Sequence, residues 1–204
     1  MSVKAAQVTN PSWWARHIHP LNSVLRVLMG VVWLVDGFYK FYSGFAGSFL
    51  ATLQGNQSAN PAWLNGWFQF WINVTTPNPP AVVYTVGFFE LAVGAALVLG
   101  FMRKIAYSGG VILGLMIWSI GEGFGGVFQV ITPQTTDVGT GIIYSIALLG
   151  LILINAAHGV SRYSVDYYIE RRFPSWARIA EFGTRIIGPM TKSAAPSGPG
   201  SSGG

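Results

Sequence analysis

Four nearly unbroken apolar runs alternate with polar, proline-rich or glycine-rich segments along this chain. They cover about Val24–Tyr42, Ala81–Phe101, Ile105–Gly121 and Gly139–Ala157. As helices, each is long enough to cross most or all of the ~30 Å hydrocarbon core of a bilayer. The prolines of "TPNPP" suit the first turn of the second helix. Only "MRK" separates the second run from the third, which predicts a tight antiparallel hairpin. The pattern therefore predicts an all-α membrane protein, a four-transmembrane-helix bundle occupying residues 24–158.

The segments between and after the runs are not plain linkers. Residues 43–80 carry "FAGSFLATL" and "PAWLNGWFQFWINV", with Trp63, Trp67, Phe68, Phe70 and Trp71. Such density of aromatic side chains predicts short interfacial helices lying at the membrane surface. These form either a plain aromatic belt or the wall of a cleft for an apolar ligand. Residues 159–190 alternate aromatic and basic positions and predict an amphipathic helix on the membrane surface, broken near Pro174. Residues 191–204, "KSAAPSGPGSSGG" with its preceding threonine, predict a disordered tail. Residues 1–23 hold Trp13, Trp14, Arg16, His17 and His19, an expected interfacial anchor, and show no cleavable signal pattern.

Composition agrees with this picture. Of 204 residues, 51% are hydrophobic and 9% charged, against about 25% charged in soluble domains. Mean hydropathy is +0.45. The isoelectric point near 9.7 follows from where the basic residues fall. Eleven of the twelve, all but Lys40, lie in the N-terminal segment, at Arg26, in the second–third link or after the fourth run. The positive-inside bias then places both termini in the cytoplasm and residues 43–80 outside, in a multi-pass protein of the cell membrane. The basic charge reads as affinity for anionic lipid, with no nucleic-acid partner expected.

With that orientation, the remaining ionisable residues fall between mid-membrane and the outer surface: Asp36, Lys40, Glu90, Glu122 and Asp137. A charge at a span's centre costs about 2.5–3.5 kcal/mol on insertion scales, so such residues pair inside the bundle and mark function by default. Asp36 and Lys40 stand i,i+4, with Trp33 on the same face. Glu90 lies in a small-residue stripe with Gly87 and Gly94. Gly110, Gly114, Trp118 and Glu122 form another. One cation, Lys40, faces several acids. Asp36, Lys40, Glu90 and Glu122 are thus the candidate catalytic or proton-handling residues, with Trp33, Trp118 and Asp137 as candidates to line a quinone or substrate site. The competing reading is a polar latch that fixes helix register.

Other chemistry is sparse. There is no cysteine, which excludes thiol nucleophiles, disulfides and cysteine-held clusters. His17 and His19 lack a third ligand, and His158 has no intramembrane histidine partner. No metal, haem, flavin or iron–sulfur site is expected. Asn56-Gln57-Ser58 and Asn73-Val74-Thr75 match the glycosylation pattern by composition alone.

Three motifs resemble the DoxX/DoxD-like membrane proteins. "LRVLMGVVWLVDGFYKF" is similar to their first helix, with Gly37, Lys40 and Phe41 at its end. "FFELAVGAALVLGFMRK" resembles their second, with Glu90, Gly94 and Gly100 before a basic turn. "HGVSRYSVD" resembles their closing element, at Gly159, Ser164 and Asp166. "GEGFGG" with "TDVGTGIIY" looks most like the DoxD-type branch, which includes the small membrane subunit associated with thiosulfate:quinone oxidoreductase. The resemblance implies a four-helix bundle and a link to quinone. Since nothing in the chain itself stores electrons, quinone or a partner subunit would carry them. Two further readings stay open: a non-catalytic accessory subunit of a larger respiratory or monooxygenase complex, and a small transporter.

Overall fold

A computed structural model describes residues 13–128, 137–159 and 161–183. The expected disordered tail at 191–204, the last residues of the expected surface helix and residues 1–12 of the N-terminal segment lie outside the described residues. Eight α-helices make up the described chain: α1 Trp13–Tyr39, α2 Ser43–Ala59, α3 Asn65–Thr75, α4 Pro79–Leu99, α5 Arg103–Ile120, α6 Thr140–His158, α7 Val165–Arg172 and α8 Ala177–Ala180.

Three of these are long and apolar enough to cross a membrane: His17–Tyr39 of α1, α4 and α6. The fourth expected span, α5, begins at Arg103 and Lys104. The two cations expected in the turn are part of the helix and dilute its apolar character. α1 also departs from expectation at its start. It begins at Trp13 and runs through Pro20, so the aromatic anchor is continuous with the long helix instead of preceding it.

Helix ends follow local rules. Asn78 accepts a hydrogen bond from the Ala81 amide, and Pro79 and Pro80 occupy the first turn of α4, where a missing N–H costs nothing. Gly100 ends α4 at φ 66°, a left-handed conformation glycine adopts freely. Met102 follows at φ 48°. That strained turn is held because the Asp166 carboxylate accepts from the Met102 and Arg103 amides at 2.9 and 3.0 Å.

Glycines set the packing. A Cβ on Gly30 would lie 2.8 Å from the Val98 nitrogen and 2.9 Å from the Gly94 oxygen, and one on Gly94 2.8 Å from the Leu34 nitrogen. One heptad on, a Cβ on Gly37 would lie 2.9 Å from the Leu91 nitrogen. α1 and α4 therefore touch backbone to backbone at two levels, the close approach that small residues permit between membrane helices. α5 and α6 meet similarly, with Gly114 against the Gly141 carbonyl and Ser145. Between the pairs lies a core of Trp33, Leu97, Ala106, Tyr107, Leu148 and Leu151. α2 and α3 form a separate layer, joined to the end of α5 through Leu53, Ile72 and Ile120.

Candidate functional site

The α1–α4 contact decides where the charges go. Gly87 lets α4 approach so closely that a Cβ there would fall 2.8 Å from the Lys40 Cβ. Glu90, one turn along α4, is then buried against the end of α1 at 2% exposure. Lys40 lies past the last residue of α1, in the turn to α2. The helix ends before Lys40, so the face expected to carry Asp36 and Lys40 together stops at Tyr39. The Lys40 Nζ lies 3.4 Å from Glu90 Oε1 and 4.7 Å from the centroid of the Phe45 ring. The other oxygen, Glu90 Oε2, is buried with no hydrogen-bond partner. Asp36 is half-buried, within electrostatic reach of Glu90 and beside the Tyr144 hydroxyl.

Beside this pair lies a cavity of about 320 Å³. Its walls come from α2 (Phe45, Phe49), α3 (Trp71), α4 (Val83, Val86) and α5 (Ile117), with Lys40 and Glu122 as its charged members. The aromatic segment 43–80 therefore folds into helices that wall a mostly apolar cleft. Thr75 and Trp71, on the cavity's α3 side, each carry a buried polar atom without a partner.

The other candidates are placed differently. Glu122 caps the start of α6: its carboxylate accepts from the Thr140 amide at 3.1 Å, the Gly141 amide at 3.0 Å and the Thr140 hydroxyl. A carboxylate there faces the positive end of the helix dipole. Asp137 accepts from the Gly139 amide at 3.2 Å. Trp118 donates its indole N–H to the Val138 carbonyl at 2.8 Å and is not part of the cavity wall. Trp33 is a core residue, 1% exposed, its ring 5.9 Å from that of Tyr144. The structure thus joins Lys40, Glu90 and Asp36 with Tyr144, gives Asp137 and Trp118 to the junction of α5 and α6, and leaves Glu122 shared between that junction and the cavity wall.

The glycine loop after α5 is held from the other side as well. Asn56 donates to the Ile120 and Gly121 carbonyls at 3.1 and 3.0 Å, and Asn60 to the Gly123 carbonyl at 3.1 Å. Asn56 is committed to this clasp and Thr75 is fully buried, so neither glycosylation match offers a free acceptor sequence in the folded chain.

At the opposite end of the bundle stands a second charged cluster, built by the segment expected as an amphipathic surface helix. The segment after α6 does break near Pro174, as expected, with a short turn of 3₁₀ helix at Pro174–Trp176. Its acids, however, turn inward. Arg103 is 2% exposed and pairs with Asp166, Glu170 and Glu181. Arg26 donates to the Leu97, Val98 and Tyr163 carbonyls, closing the end of α4. Two sequence signals point here: the closing motif that carries Asp166, and the spacing of three acids behind the basic turn, which amphipathic surface helices share.

Compared with models of known protein families, residues 21–123 match DoxX, just over half the chain, running from α1 through α5 to the Glu122 loop. No curated protein and no solved structure matches. This chain belongs to the DoxX family and is a multi-pass membrane protein.

Proposed function

We propose that this protein is the quinone-binding membrane subunit of an oxidoreductase of the DoxD type, the class represented by thiosulfate:quinone oxidoreductase. In this reading α1, α4, α5 and α6 cross the cell membrane as a four-helix bundle, with both termini cytoplasmic and α2 and α3 at the outer interface. One observation carries it: Lys40 belongs at once to the wall of the apolar cavity and to the buried pair with Glu90.

The residues fit a lipid-soluble quinone. A volume of about 320 Å³ is at the small end of ligand pockets and suits a ring with the first carbons of its tail. Lys40 offers an N–H to a ring oxygen, and Glu90 Oε2 is a buried polar atom without a partner. Bound quinone would supply the electron acceptor, with electrons arriving from a partner subunit. The chain's own part is protonic. Lys40 orients the ring oxygen by charge-assisted hydrogen bonding. Glu90 holds or releases a proton at Oε2. Asp36, with Tyr144 beside it, links Glu90 to the outer surface.

The test is purification in mild detergent, extraction and quantification of quinone, and quinone-reduction assays of the complex carrying Lys40→Met or Glu90→Gln. Stoichiometric quinone lost in Lys40→Met, with turnover lost in Glu90→Gln, supports the reading. Absence of quinone from an intact complex overturns it.

The second reading, a stabilising accessory subunit, is favoured by Glu122 and Asp137, whose carboxylates are engaged in capping α6. It requires both variants above to assemble with full activity of the complex.

A further inference from the structure

Residues 165–183 fold back onto the start of α5 around one guanidinium. Arg103 Nε donates to Asp166 Oδ2 at 2.9 Å, and Nη2 donates to Glu181 Oε1 at 2.9 Å and Glu170 Oε1 at 3.5 Å. Asp166 is saturated. It also accepts from the Met102 and Arg103 amides and from the Trp176 indole N–H at 2.8 Å. Both of its oxygens are engaged as acceptors. Glu170 and Glu181 differ. Each has one oxygen on the same Arg103 nitrogen, and in each Oε2 is buried without a partner. Both residues are inaccessible, at 0% and 7% exposure.

The charges around them come from every packed element: Arg26 on α1, Arg103 and Tyr107 on α5, Asp166 and Glu170 on α7, and Glu181 after α8. Lys104 is exposed and donates to the Arg178 carbonyl. Among the described residues two guanidiniums thus face three carboxylates, leaving one excess negative charge in a buried site. A buried unpaired charge is costly. One proton removes the excess and also supplies the hydrogen that the two orphan oxygens lack.

We infer that Glu170 and Glu181 share a single bound proton, and that this proton site is the clasp that holds residues 165–183 against α5. When the proton leaves, two carboxylates repel across one guanidinium and the segment comes away. Burial, and then the charge of Glu181, also raises the proton affinity of Glu170 to about 7. The clasp therefore responds to pH at the face of the bundle opposite the cavity, independently of what the cavity binds.

The chain has no cysteine, so Ala180→Cys places one thiol at a position that is 0% exposed beneath the clasp. The full-length protein is labelled with a maleimide across pH, and the rate is divided by that of the exposed Ser175→Cys to remove thiol ionisation. The normalised rate should be flat below about 4.5, rise by up to about tenfold per pH unit between there and about 7, where the closed form alone keeps the proton, and level off above. Adding Glu170→Gln gives a permanent amide donor to Glu181, and the rate should stay at its acid value. Glu181→Gln should do the same and carries the test if the first variant does not fold. With Glu90→Gln as the common background, an infrared band of a protonated buried carboxyl should be present and should be lost on adding either Glu170→Gln or Glu181→Gln. A pH-independent rate in the parent, or a rise that survives in a folded glutamine variant, overturns the inference.

Discussion

Lys40 and Glu90 are paired at 3.4 Å across the junction of α1 and α4, fifty residues apart in the chain, because Gly37 and Gly87 remove the side chains that would hold the two backbones apart. Glu90 is 2% exposed and the Lys40 side chain 15%, so the ion pair lies at the boundary between the packed interior and the cavity. The same geometry serves as a latch and as a site, and the two roles separate by substitution.

Lys40→Met leaves a buried carboxylate unpaired and should destabilise the protein by up to about 3–5 kcal/mol. Glu90→Gln should cost less, since it removes the charge while keeping hydrogen bonding. The double variant Lys40→Met with Glu90→Leu should recover most of the loss. Thermal unfolding in detergent, arranged as a double-mutant cycle, measures the coupling. Additive losses would mean that the pair contributes nothing as a pair.

Glycine substitutions should divide by position. Gly94→Ala puts a methyl 2.8 Å from the Leu34 nitrogen and should cost about 1–3 kcal/mol by forcing the backbones apart. Gly109→Ala meets nothing within 4 Å and should be neutral, or stabilising by up to about 1 kcal/mol from helix propensity. Melting temperatures of the two variants should therefore move in different directions or by clearly different amounts.

Glu122→Ala removes the cap of α6 and should lower stability by about 0.5–2 kcal/mol. Glu122→Gln keeps an acceptor oxygen and should lose less. Because Glu122 accepts from three α6 groups, quinone content should survive Glu122→Gln. Quinone lost from a stable Glu122→Gln protein would instead place this carboxylate at the ligand.

Stability should depend on pH through Glu170. Burial, followed by the neighbouring charge of Glu181, raises its pKa from 4.5 to about 7. Between these values the folded state binds more protons than the unfolded state, so the stability slope with pH is negative there. The contribution is fully present below 4.5 and is lost as pH rises through about 7. Glu170→Gln should flatten this part of the melting-temperature profile.

Cysteines at Ser58 and Ser175, both exposed, should label from opposite sides of the membrane with an impermeant reagent, with Ser175→Cys reacting only from the cytoplasm. Labelling from one side alone would reverse the assignment of α2 and α3 to the outer interface.

By itself the sequence determined the elements that depend on local chemistry. Run length and apolarity located α1, α4, α5 and α6 to within a few residues of their ends, except at the start of α1. The prolines before Ala81 and at Pro174, and Gly100, marked real boundaries because they restrict backbone conformation whatever surrounds them. The small-residue stripe of Gly87, Glu90 and Gly94 pointed to a close helix contact.

The choice of partners was made only in three dimensions. Periodicity shows which residues share a face, but not which faces meet or how far each helix turns before it ends. Of the acids expected around Lys40, Glu90 is its partner because α1 stops at Tyr39 and the Gly37–Gly87 contact brings α4 within reach. Glu122 became a helix cap because α6 begins beside it. Asp166, Glu170 and Glu181 lie in a segment whose pattern predicts an amphipathic surface helix, and only the return of that segment onto Arg103 buries them. A charge's role depends on its distance to other charges and on its access to water, and both are properties of the packed chain.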